Sequence, residues 1–159
     1  MKLLILEDYL KSANAAAGIS EEKQCSMISE CIEYLDKIAA NFHVHPHVQG
    51  IAMNIFHFYI KQVPFTEVER IMLTSVCIYL ACKIDYYHFK MFDFIKYYHE
   101  NKKGPKKRKA VEDVYEVLLN DFSGVELQAL RVIEFDFNFD LPHSYLRGFR
   151  ERYFDSQSI

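Results

Sequence analysis

A chain of 159 residues, half of them hydrophobic, is long enough to bury most of its apolar surface within one domain. Its formal charge of −3 offers phosphate backbones no general attraction, which argues against direct nucleic-acid binding. Five glycines and four prolines leave little material for strand-and-turn architecture, and the four cysteines form neither a CxxC pair nor an obvious disulfide framework. Free, buried thiols in a reducing compartment are the expectation.

The opening MKLLILED has four apolar residues before Glu7 and Asp8, whereas a secretory core needs about 7–15, so a cytosolic or nuclear protein is expected. Residues 1–18 are mixed and alanine-rich and read as an arm or a short helix. From about residue 20 to 42, Met27, Ile28, Cys31, Tyr34, Leu35 and Ile38 recur at helical spacing. Ser20 can cap this helix, and Glu21 and Glu22 suit its positive end. A second helix should start at Pro46, a first-turn residue, and stop before Pro64.

The third helix, over about 66–85 with Thr66 as its cap, is the most telling. Ile71 to Cys82 is a run of twelve residues without a charge, followed by Lys83. A helix lacking a polar face must be surrounded by protein or lipid, and this one falls short of the ~20 residues a bilayer requires. It is predicted to be the central helix of an all-α bundle, with Lys83 emerging at its rim. A fourth helix over about 89–100 would align Phe89, Phe92, Ile95 and His99. After the basic run KKGPKKRK, a short helical piece over about 110–119 and a fifth helix over about 123–135 are expected. Pro142 precedes a last amphipathic stretch carrying Leu146, Phe149 and Tyr153.

Chemistry is sparse. His43, His45 and His47 would share a face if extended, but no further ligand or supporting shell is evident, so no metal is assigned. DFSG at 121–124 lacks the glycine-rich and catalytic loops a kinase requires, and no nucleophile stands with a base or a cofactor loop. The basic run (Lys102, Lys103, Lys106, Lys107, Arg108 and Lys109) reads as a solvated loop, a nuclear import signal or a local nucleic-acid contact, with import favoured. The aromatic wealth around 86–98 is not interleaved with a basic groove, so core and interface roles are expected over base stacking.

Three blocks in order, IAMNIFHFYI (51–60), MLTSVCIYLACKID (72–85) and VELQALRVIEFDF (125–137), resemble the cyclin box. The likeness covers about residues 20–145 and implies five helices around a buried central one. It divides the chain into an arm (1–19), a box (20–142) and an extension (143–159) that caps the box or begins a second fold. HFY at 57–59 is similar to transcription-associated cyclins of the H, K, L and T types. Residues 72–85 are similar to the third helix of the H type and DLPHSYL at 140–146 to the K, L and T types, so the signals for the subfamily are split.

The resemblance implies a non-catalytic subunit that binds and activates a cyclin-dependent serine/threonine kinase. The partner's regulatory helix is turned inward, completing the ion pair and metal site for phosphoryl transfer. Carried over by position, Lys83 and Glu126 match the family's kinase-binding pair, and Leu80, Ile84, Leu130, Phe135 and Phe137 match its apolar contacts. The resemblance implies no cofactor and no membrane, and leaves room for a third assembly subunit.

Both charged residues also have structural readings. Lys83 suits any helix C-terminus, and Glu126 stands three after Ser123, the spacing of a capping box. The chain departs from most cyclins in lacking tryptophan, a substrate-docking patch on the first helix and a complete second fold. A rival reading is a cyclin-like initiation factor or scaffold resembling transcription factor IIB. That factor carries a zinc ribbon and a repeated fold, and neither is evident in this sequence.

Overall fold

Ser12, Ser20 and Pro46 set where the first three helices begin. The computed structural model describes residues 12–102, 110–139, 141 and 150. Ser12 Oγ accepts from Ala15 N (3.3 Å) and opens α1 (Ala13–Ala16). Ser20 Oγ accepts from Lys23 N (3.4 Å) at the head of α2 (Glu21–Asn41), with Glu21 and Glu22 in its first turn. Pro46 occupies the first turn of α3 (Pro46–Gln62), where its missing N–H costs nothing. His45 caps that helix, its Nδ1 accepting from His47 N at 3.1 Å.

α4 (Arg70–Ile84) packs against α2, α3, α5 (Met91–Asn101) and α6 (Val111–Val132) and is buried along most of its length. Its placement explains the charge-free run, since every face meets another helix. Its two polar core residues are satisfied: Thr74 Oγ1 donates to Arg70 O (2.8 Å) and Ser75 Oγ to Ile71 O (3.0 Å). Tyr34 OH reaches Ser75 Oγ from α2 at 2.9 Å, which suits the requirement that buried polar groups be paired. No described helix is long and apolar enough to cross a membrane. The architecture is all-α among the described residues, as the sequence predicts.

Two expectations require correction. Thr66 does not cap α4. Glu69 does, its Oε2 accepting from Met72 N at 2.6 Å. The intervening chain is held elsewhere: Phe65 N donates to Asn14 Oδ1 (2.8 Å), Glu67 N bonds Pro64 O (3.0 Å), and Val68 is buried. The segment therefore turns back toward α1 instead of winding up early. Likewise, the separate pieces expected at 110–119 and 123–135 are one continuous helix, α6. Phe122, fully buried with its ring edge-on to Tyr98 (5.4 Å), anchors the middle of α6 to α5. Tertiary packing thus overrides the weak propensity of Ser123–Gly124.

Gly124 is exposed in mid-helix, and a Cβ built there meets nothing within 4 Å. Gly124→Ala is therefore expected to stabilise the fold by about 0.5–1 kcal/mol. Thermal unfolding should register this as a rise of about 1–4 °C.

Cys31, Cys77 and Cys82 are buried and Cys25 is exposed, all as free thiols. Burial pushes Cys31 up to about 11 and Cys82 up to about 12, with Asp85 adding to the latter. Burial and the neighbouring Cys31 also raise Cys77. Since the thiolate is the nucleophile, iodoacetamide is expected to modify Cys25 alone in the folded protein and all four thiols in guanidinium. Intact-mass spectrometry reads the difference directly, and rapid native labelling of a second cysteine would contradict this core.

Candidate functional site

The last turn of α4 carries Lys83 out of the core, its side chain half exposed. Its Nζ donates to Glu126 Oε1 of α6 at 2.7 Å, and only 14% of the Glu126 side chain is exposed. Tyr79, one turn earlier on α4, places its ring 5.3 Å from the ammonium and supplies a cation–π contact. Burial disfavours the lysine's charge, but the hydrogen bond and charge of Glu126 outweigh it. The pKa of Lys83 lies above its ordinary value, so the ammonium is retained at neutral pH. For Tyr79, burial outweighs the lysine's opposing influence and raises the phenol.

Only one ammonium proton and one carboxylate oxygen are engaged between Lys83 and Glu126. An ammonium has three donors and a carboxylate about four acceptor sites. The pair can therefore hold each other in position while offering donors and acceptors to a partner's main chain.

The capping-box reading of Glu126 fails, because Ser123 and Glu126 both lie inside α6, whose N-cap is Ala110. The sequence also places Glu126 early on its helix with Leu127 beneath it. In the structure Glu126 lies past the middle of α6, and Leu127 is exposed. Ile84 and Leu130 are half-buried beside the core. Phe135 and Phe137 are exposed on the turn after α6, where Glu134 and Phe135 adopt positive φ (54° and 56°). Leu80, by contrast, is 2% exposed and supports the rim from within the core.

The family model for the N-terminal domain of cyclins matches residues 4–138. This chain belongs to the cyclin family. The match begins upstream of the helix at which the sequence likeness starts, and among the described residues before 20 one ties into the bundle. Asn14 is fully buried in this cyclin and holds the loop ahead of α4 through Phe65 N.

Of the basic run, only Lys102 is described. Its Nζ donates to Tyr98 OH (2.8 Å) and lies over the same ring (5.2 Å), so it serves the fold. Lys103, Lys106, Lys107, Arg108 and Lys109 lie outside the described residues, as do most residues of the C-terminal stretch. His43 and His45 serve the turn between α2 and α3, the first through a left-handed backbone (φ 52°) and the second as the α3 cap. No group of three or more potential metal ligands occurs among the described residues.

A separate cleft of about 360 Å³ opens between α2, the start of α4 and α5, away from the Lys83 rim. Glu30, Glu33, Lys37, Glu69, Arg70 and Lys102 line it, and Arg70 Nη2 bonds Glu30 Oε2 at 2.6 Å. Its mixture of signs selects no single charged ligand. Tyr79 is the rim residue that sequence reasoning missed. Its signal was available, since it stands four before Lys83 on a helix and must share its side.

Proposed function

We propose that this cyclin is the regulatory subunit of a cyclin-dependent serine/threonine kinase, binding and activating it without chemistry of its own. The observation that carries this reading is the Lys83–Glu126 pair at 2.7 Å, bridging the last turn of α4 and α6. Such a pair, set at the edge of apolar side chains, suits a partner helix that presents both apolar surface and unpaired main-chain groups. Pressing on the kinase's regulatory helix from this side would complete the ion pair and metal site that phosphoryl transfer requires.

The likeness of HFY at 57–59 and DLPHSYL at 140–146 to transcription-associated cyclins supports a role in transcription or in activating another kinase. The basic run from Lys102 to Lys109 supports nuclear import. A third assembly subunit is compatible with this arrangement.

The test is tagged capture from the protein's own cells beside the Lys83→Glu variant, read by mass spectrometry. The wild type is expected to recover a cyclin-dependent kinase, active on a polymerase-tail peptide or on another such kinase, and the variant to lose it. Recovery of promoter DNA or polymerase factors with no kinase would replace this reading by an initiation factor or scaffold.

A further inference from the structure

α4 ends by folding its chain back on itself: Tyr86 N bonds Lys83 O (3.3 Å) and Tyr87 N bonds Cys82 O (2.8 Å). This closure requires a left-handed residue at the first position past the cap, where glycine is strongly favoured. α1 meets the requirement with Gly18 (φ 77°), α2 with His43 (φ 52°) and α6 with Glu134 (φ 54°). α4 meets it with Tyr86, at φ 61°. A bulky side chain in that region is an outlier with a conformational penalty.

Packing does not compensate for the strain. Tyr86 is 86% exposed, the most exposed large hydrophobic residue among the described residues, and its ring lies in no described aromatic pair. Its neighbours Tyr87 and Phe89, by contrast, stack together (5.8 Å) and pack against the core. The fold therefore gains nothing from the ring of Tyr86, which stands beyond Lys83 and Ile84 on the turn that ends the proposed kinase-facing rim.

We propose that Tyr86 is an anchor for the kinase, its ring filling an apolar slot beside the groups that meet Lys83 and Glu126. This rests on the kinase-subunit reading above and extends it to the end of α4. Tyrosine suits the task because it supplies a large rigid contact with few torsions to freeze, and such residues dominate binding at interface centres. Kinases without a matching slot are excluded by the protruding ring, so the residue contributes to partner choice as well as to affinity.

The test uses the full chain and the kinase recovered by the wild type, with Tyr86→Gly, Tyr86→Phe and Lys83→Glu compared by titration and thermal melting. Tyr86→Gly relieves the left-handed strain and is expected to raise the melting temperature by about 2–4 °C. It should also weaken kinase binding by at least about tenfold. Tyr86→Phe keeps the ring and is expected to bind within about threefold of wild type.

A more stable Tyr86→Gly that binds normally overturns the anchor, and so does a melting temperature that falls, which would assign the ring to the fold. If Lys83→Glu loses the kinase while Tyr86→Gly keeps it, the anchor alone fails. If the wild type recovers no kinase, the functional reading fails and the anchor with it.

Discussion

Replacing Glu126 with alanine is expected to weaken kinase binding by about 30-fold or more, roughly 2 kcal/mol. The fold should change by only about 0–1 kcal/mol. The two effects separate because the Lys83 side chain is already half exposed, so an abandoned ammonium can turn to water in the free protein. In the complex that route closes, and the lysine is left desolvated and misaimed. Lys83→Ala should weaken binding alike, but it strands the largely buried Glu126 carboxylate and should cost the fold more.

The reversed double variant, Lys83→Glu with Glu126→Lys, restores an intramolecular pair but exchanges donors for acceptors. It should therefore recover the melting temperature and fail to recover binding. Titration calorimetry beside thermal melting distinguishes these outcomes. Normal kinase binding and activation by both alanine variants would remove the pair from the interface.

Phe122→Ala is expected to be the most damaging of the variants considered, destabilising the fold by about 3–5 kcal/mol. The residue is wholly buried, lies at the middle of α6 and meets Tyr98 of α5 edge-on at 5.4 Å. Removing its ring opens a cavity between two helices whose own side chains cannot close it. Glu126 lies four residues on, so the loosening of α6 should also impair kinase binding. Urea unfolding measures the loss, and a shift below about 1 kcal/mol would mean that this part of the core is not close-packed.

The legible parts of the fold were those decided locally. Ser20 and Pro46 act within their own first turns, and the helices they begin start there. The start of α4 could not be read in this way, because the chain ahead of it is held by a hydrogen bond from Phe65 N to Asn14, 51 residues away in sequence. The continuity of α6 was hidden for a related reason. Ser123–Gly124 resembles a break, and only the docking of Phe122 on Tyr98 shows why it is not one.

At the site, Lys83 and Glu126 stood out through their register in a family pattern, and their side chains meet. The exposure of the apolar set did not follow from that pattern. A helix apolar on every side carries no record of which residue points outward, so Leu80 could not be distinguished from a surface contact. The exposure of Phe135 depends on a left-handed turn that its residue types do not announce.

α4 is a nearly uniform apolar cylinder, and such a cylinder has little intrinsic preference for how it is turned about its own axis. A few directional bonds help to set its azimuth within the packed core: Tyr34 of α2 reaches Ser75, and the Cys31 thiol reaches Arg70 O at 3.9 Å. These lie in the first half of the helix, while Lys83 lies at its far end, so a small rotation at the pins would sweep the ammonium around the rim. The aim of the lysine at its partner is therefore shared between Glu126, which holds it directly, and a tyrosine hydroxyl two turns away that never touches the rim.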